Sequence, residues 1–393
     1  MLTRSLPSVA QPSFIHLDMA RGLAALTVFI GHLRSFVFVG YGDLGTHGPV
    51  DTLVWIVTGF GHQAVMMFFV LSGFLITKSI LIDDNTRGFS WPIYLIKRLT
   101  RLWTVLLPCL ILTACWDRLG IFVSGSKFYD GVLYPAYNSG PNIETGGASW
   151  TAWTFLQNLL FLQTITSPVF GSNGPLWSLA NEFWYYLLFP LLYISITRRQ
   201  DLMCSAINVA VFLTIGVFIG KYMMLSGLIW LAGAVSYIAY ERAWCMELCR
   251  SRGAVFGALG LFLISLATSK TTLGTEYTRD VFIGFAAAAL VLVLANRDDD
   301  GSALYNKLAR MLADNSYTIY LVHFPFMAFL INVTLANRRF DASLTGYILF
   351  ISIGICTLLY CHAIYLLFER QTDNIKNYII GKYKYVLGRV SRV

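Results

Sequence analysis

Charge is what this chain has least of. Only 13% of its 393 residues are Asp, Glu, Lys or Arg, about half the share usual in soluble domains, and that scarcity excludes an ordinary water-soluble globule. Long polar loops are few, which leaves no room for a second soluble domain. The seven cysteines form no CxxC pair and no metal-ligand spacing, so neither a disulfide framework nor a zinc site is expected. The opening MLTRSLPSVAQPSF lacks the basic, apolar, small-residue order of a cleaved signal, so the first apolar segment is expected to stay. Short alternating segments are missing, which excludes a β-barrel. No inverted repeat of the kind common in transporters is visible.

Apolar and aromatic residues fill the space that charge leaves. The chain is 56% hydrophobic and 15% aromatic, and its mean hydropathy is +0.62. Long apolar runs recur, which predicts an all-α polytopic helical membrane bundle. About ten transmembrane helices are expected, at 18–39, 60–80, 94–115, 177–196, 202–220, 223–240, 253–268, 280–295, 312–333 and 344–367. Segment 151–165 is too short and too polar for a span and reads as an interfacial or re-entrant helix.

With the N-terminus inside, most of the 29 lysines and arginines fall on one side, so both termini are expected to be cytoplasmic. The net charge of +8 then follows from membrane sidedness and is not a nucleic-acid footprint. Residues 1–368 are expected to form one integral-membrane domain. Residues 369–393 read as a basic cytoplasmic tail suited to anionic headgroups. The longest external loop, 116–150, is rich in Gly, Pro, Asn, Tyr and Ser, side chains suited to stacking on sugars and bonding their hydroxyls.

Ionisable groups inside apolar runs mark the candidate site. His32 lies about 16 Å beyond Arg21 on a helix rising about 1.5 Å per residue, hence near mid-depth, where a polar side chain must face protein or a water-filled cavity. Asp18 and Arg21 share a helix face and can pair. Arg34 faces away from His32, and its guanidinium can snorkel to the outer surface. His62 and Gln63 begin the second span and are placed to line an entrance. Ser72–Gly73 forms a small-residue notch for close helix packing. Arg98 and Arg101 share a face at the membrane edge and can clamp a polyanion. Glu182 sits early in an apolar helix and needs a partner, for which a histidine or arginine of the first span is the natural choice. Trp177 reads as a belt or core aromatic. His323 lies within a span, and Pro325 after it frees a backbone carbonyl and can bend the helix toward a cavity.

Taken in order, LDMARG with His32 at 17–32, FFVLSGFLI at 68–76, RLTR at 98–101, WSLANEFWYYLLFP at 177–190 and SYTIYLVHFP at 316–325 resemble the bacterial membrane acyltransferase-3 family. The resemblance implies a ten-span bundle in the bacterial inner membrane. It further implies acetyl-CoA or another acyl-CoA as cytoplasmic donor, a surface-glycan or lipid-linked sugar hydroxyl as acceptor, and no metal. His32 matches the family's catalytic histidine, Arg21, Arg98 and Arg101 its donor-binding arginines, and Glu182 its WSLxxE acid. Asp18, Ser72, His62, Trp177, Ser178, Tyr320 and His323 are the expected substrate-side and supporting residues. The chain departs from the family at Met66, Thr104 and Phe183, where an acid, a proline and a second acid are usual, and the SGNH-type esterase domain of some relatives is not expected after the last span.

The expected reaction is thioester acyl transfer, with neutral His32 as general base or transient acyl carrier and Glu182 orienting its ring as the third member of a triad does. Two other classes compete. A proton-coupled transporter or flippase would use His32, Glu182 and His323 as a relay, and a membrane sensor or scaffold would need none of them.

Overall fold

The computed structural model describes residues 14–197, 202–297 and 301–390. The segment before Phe14, the Arg198–Arg199 pair and Arg392, which entered the reading of charge, lie outside the described residues. The chain runs through α1 (Ile15–Val37), α2 (Pro49–Val57), α3 (Gly61–Arg87), α4 (Trp91–Ser124), α5 (Tyr134–Tyr137), α6 (Ala152–Leu159) and α7 (Trp177–Thr197). It continues through α8 (Leu202–Glu241), α9 (Met246–Arg250), α10 (Arg252–Thr268), α11 (Glu276–Ala295), α12 (Ala303–Leu335), α13 (Leu344–Leu367) and α14 (Thr372–Val390). No β-strand occurs among the described residues, only isolated bridges such as Phe38 with Phe340.

Every expected apolar segment coincides with a helix, the first running past the end of α1 at Val37 and the second beginning just before α3 at Gly61. Among the described residues, 6 helical stretches are long and apolar enough to cross a membrane. The chain is a multi-pass membrane protein, and α1 and α7, which carry polar site residues, are not among those stretches. Segments 202–220 and 223–240 are joined in α8, which bends at Gly220 (φ 81°, ψ 166°) and brings Met224 against Gly216. That left-handed backbone angle suits glycine, which lacks the Cβ that would clash there.

Close backbone approach sets the interior. α1 lies along α12, where Gly22 has no room for a Cβ beside Leu312. In α3 and α8 the notch expected at Ser72–Gly73 is met by another glycine: a Cβ on Gly73 would strike the Trp230 carbonyl, and one on Gly233 the Val70 carbonyl. Helices meet this closely where small residues remove the side-chain spacer, which is how association proceeds when lipid is as apolar as leucine.

Three boundaries differ from expectation, each for a polar reason. α4 continues to Ser124, because buried Asp117 inside it accepts from Ser172 N at 2.7 Å, Ser172 Oγ at 2.6 Å and Trp150 Nε1 at 2.8 Å. The short helix expected in 151–165 is α6, pinned by buried Asn158, which donates to the Thr154 and Pro168 carbonyls and accepts from Phe170 N. Beyond residue 368, Glu369 and Thr372 are buried and α14 packs on α4, so the first turn of the tail belongs to the bundle.

Replacing Gly73 by valine is expected to overpack the α3–α8 contact at a cost of about 1–3 kcal/mol. The melting midpoint of the detergent-purified protein, followed by fluorescence-detected chromatography, should drop by several degrees. An unchanged midpoint would contradict the close contact.

Candidate active site

α1 delivers His32 to the wall of a cavity of about 730 Å³. Its Nδ1 meets Ser139 Oγ at 3.2 Å. Phe324 stands edge-on to the ring with centroids 5.0 Å apart, and His323 lies beside it at 5.4 Å. Ser139 arrives from the long loop after α4, which folds inward because Phe128, Tyr129 and Tyr137 are buried. Tyr137 packs on Phe36, and Asn138 then takes a left-handed turn (φ 48°) just before Ser139.

The rest of this cavity is polar and aromatic, with Arg34, Ser35, His62, Tyr134, Asn138, Trp177, Glu276 and Tyr320 in its wall. The His62 ring stacks on Trp177, and its Nε2 lies 2.9 Å from Asp280. Trp177, read from its segment as a belt or core aromatic and from the resemblance as a substrate-side residue, stands in the cavity wall. Arg34, expected to snorkel away, lines the same cavity as His32.

A second, smaller cavity of about 180 Å³ collects Arg21, Ser72, Arg98, Arg101, Ser178, Glu182, Tyr186 and Tyr320 between apolar walls such as Phe68, Phe69 and Leu179. The Arg21 guanidinium reaches Asp18 at 3.1 Å, the pairing that their spacing implied. Arg98 donates to Ser79 Oγ at 2.6 Å and lies over the Tyr94 ring. Arg101 pairs with Glu369 at 2.5 Å, and the other Glu369 oxygen accepts from Thr318 N and Oγ1. Leu75, Arg98 and Arg101 also line a third cavity of about 440 Å³, whose wall carries Lys78, Lys97, Asp83, Asp373 and Lys376. A basic mouth therefore leads to the arginines.

The expected pairing of Glu182 with His32 is not present among the described residues. Glu182 Oε1 instead accepts from Ser72 Oγ at 3.2 Å and from the Tyr186 hydroxyl, one helical turn along α7. Trp230 Nε1 donates to the same Ser72 oxygen at 3.1 Å. The reason is geometric: Glu182 lines the second cavity and His32 the first, and Val65 and Tyr320 line both. The Tyr320 hydroxyl is held at this wall by Ser178 Oγ at 2.7 Å and by the Pro175 carbonyl at 3.1 Å. Asp18 serves Arg21 and lines neither cavity.

His323 is a core histidine next to the site. Its Nδ1 lies 2.7 Å from the Ile319 carbonyl, and its Nε2 is buried without a hydrogen-bond partner among the described residues. Pro325 frees the Leu321 carbonyl, as its lack of an N–H requires, and that oxygen accepts from Asn173 Nδ2 at 2.9 Å and Cys109 Sγ at 3.1 Å. Sequence reasoning missed Ser139, Tyr186, Asn173 and Glu369. Tyr186 and Glu369 carried a signal, the first in its helical spacing from Glu182 and the second as an acid directly after the last apolar run.

Residues 14–366 match the protein family described as "Acyltransferase domain". The chain belongs to the acyltransferase-3 family. This acyltransferase is similar to Acyltransferase MdmB of Streptomyces mycarofaciens, 26% identical over 341 residues, which span 80% of this chain and 79% of that one. It is also similar to an O-acetyl transferase of Shigella phage Sf6, 23% identical over 326 residues, covering 80% of this chain and 85% of the phage protein. Nodulation protein 10 of Rhizobium leguminosarum bv. viciae is 26% identical over 185 residues, 46% of this chain and 44% of its own. No solved structure matches the acyltransferase chain.

Replacing Glu369 by alanine strands Arg101 and the Thr318 hydroxyl. Because the Arg101 side chain is 36% exposed, the expected loss is about 2 kcal/mol, below that of a fully buried pair. A thermal-unfolding series with Glu369→Gln as the partial rescue checks this.

Proposed function

We propose that this acyltransferase moves an acyl group, in the simplest case acetyl, from acyl-CoA to a hydroxyl of a glycan or lipid-linked sugar. The observation that carries the reading is the position of His32, facing a roomy cavity of aromatic, amide and hydroxyl groups on one side of Tyr320, while the arginines gather on the other. Guanidinium and ammonium groups at the basic mouth suit the phosphates of the coenzyme, whose pantetheine arm is narrow enough to extend past them. By the positive-inside rule the basic mouth faces the cytoplasm and the His32 cavity the opposite side, which suits the inner membrane of a bacterium. The relative named O-acetyl transferase supports acetyl as the group moved.

In the proposed step, His32 takes the proton of the acceptor hydroxyl as its oxygen attacks the thioester carbonyl. The new ester C–O bond forms, the C–S bond breaks, and the proton passes from the imidazolium to the departing thiolate, leaving CoA thiol and acylated sugar. Ser139 orients the ring from the loop side, a role first expected of Glu182. Glu182 in turn fixes Tyr186 and Ser72 among the arginines. Donor carbonyl and His32 meet only if the Tyr320 side chain swings aside, so the reaction has a conformational step built in. In a covalent variant His32 carries the acyl group between the two half-reactions. A burst of one equivalent of CoA without acceptor marks that route.

A proton relay through His32, Glu182 and His323 is less well supported. The hydrogen bonds of these groups go to Ser139, to Ser72 and Tyr186, and to backbone carbonyls, and not to one another.

Purified protein given radiolabelled acetyl-CoA and a glycan extract should release CoA thiol and label the glycan. His32→Ala should slow this by about 10²–10⁴-fold, the usual contribution of a positioned general base. Equal rates in both proteins would remove His32 from the chemistry, and no thiol release by either would remove the acyltransfer reading.

A further inference from the structure

Three cations around the site have a carboxylate partner, and Arg98 has the Ser79 hydroxyl. Arg21 has Asp18, Arg101 has Glu369, and His62 has Asp280. Arg34 has no carboxylate and no side-chain hydrogen bond among the described residues. Its guanidinium lies over the Trp55 ring at 6.0 Å, and its Nε is shut off from solvent without an acceptor. The Trp55 Nε1, also buried, lacks an acceptor as well.

Arg34 is two residues beyond His32 in the same cavity wall. Nearby cations deepen the imbalance. Lys270 donates to the Gly59 carbonyl and Arg339 to the Ala136 carbonyl, so neither brings a carboxylate. Burial and the neighbouring Arg34 charge hold the Lys270 amine below its usual value. On the α11 side, Asp280 is occupied by His62 and Glu276 stands exposed at the rim. The carbonyls at the end of α1 offset part of the Arg34 charge, but they supply it no carboxylate, and Arg34 stands in the cavity wall.

We infer that the His32 cavity takes an acceptor bearing an anionic oxygen group, a carboxylate or a phosphate, which Arg34 binds while the reacting hydroxyl sits at His32. The inference rests on the acyltransfer reading for the word acceptor, though the anion site itself does not need it. His32 and Arg34 line one cavity, so one sugar unit with its acidic group or its immediate linkage can engage both. A planar guanidinium suits either oxyanion through two parallel hydrogen bonds. A neutral sugar would leave that donor pair unmet.

The test is footprinting of the full-length protein by phenylglyoxal, with modification of Arg34 followed by peptide mass spectrometry. Methyl glucoside, methyl glucuronide and glucose 1-phosphate serve as probes in nanodiscs of phosphatidylcholine alone. Slowing of Arg34 modification by about tenfold with either anionic probe, and none with methyl glucoside, is expected for a charge-assisted site. The stronger of the two protectors identifies carboxylate or phosphate. Equal protection by all three or by none overturns the anion site. So does protection by phosphatidylglycerol nanodiscs without a probe, which would assign Arg34 to the bilayer headgroups.

Turnover adds a second readout. In wild type the anionic acceptors should exceed methyl glucoside in kcat/KM by about tenfold, a ratio that Arg34→Gln lowers toward one and Arg34→Lys partly restores. Protection without CoA release from any acceptor would keep the anion site and remove the acyltransfer reading. CoA release with equal kcat/KM and no protection would do the reverse. Footprinting uses the wild-type chain, so it stands even if a variant fails to fold.

Discussion

The Leu321 carbonyl has lost its helical donor to Pro325, and Asn173 supplies the replacement. In a bundle surrounded by lipid that oxygen cannot turn to water, so the Asn173 amide and the Cys109 thiol are what allow a proline there. The contact ties the middle of α12 to the residues that lead into α7. Tyr320 and His323 sit on the α12 side of it, and Pro175, Ser178 and Glu182 on the α7 side. Both cavities take part of their wall from these residues, so the wall between His32 and the arginines is built where α12 and the entry to α7 are tied together.

Polar groups elsewhere obey the same constraint. Asp117 spends both oxygens on Ser172 and Trp150, which fixes the entry into α7 from the α4 side. Glu369 divides its oxygens between Arg101 and Thr318, and so brings the chain beyond α13 back onto α12. The carboxylates of the bundle thus act as joints between helices, and the helices they join are those that carry the site.

Much of this was legible in the sequence because apolar length and small-residue notches are local. The helices, the Gly73 contact, the Asp18–Arg21 pair and the carbonyl freed by Pro325 all follow from spacing within one segment. What escaped depends on distance along the chain. Ser139 meets His32 only after three buried aromatics fold a loop back over the bundle, and nothing in the residues around Ser139 encodes that. Glu369 and Arg101 are 268 positions apart, so Glu369 read as the start of the tail and Arg101 as a donor-binding arginine, with nothing to pair them. The Glu182 partner was misjudged because depth along a helix can be read from sequence, whereas the side of a partition cannot. The span read as 94–115 stopped short of Asp117 for the same reason: the donors of that carboxylate come from elsewhere.

Val65 and Tyr320, which touch both cavities, have a bearing on the cell as a whole. A cleft running from one face of the protein to the other would leak ions and dissipate the voltage that an energised membrane maintains. It would also admit water to a reactive thioester. With a valine and a hydrogen-bonded tyrosine between the two cavities, the proposed transfer would pass a small group while the two solutions stay apart.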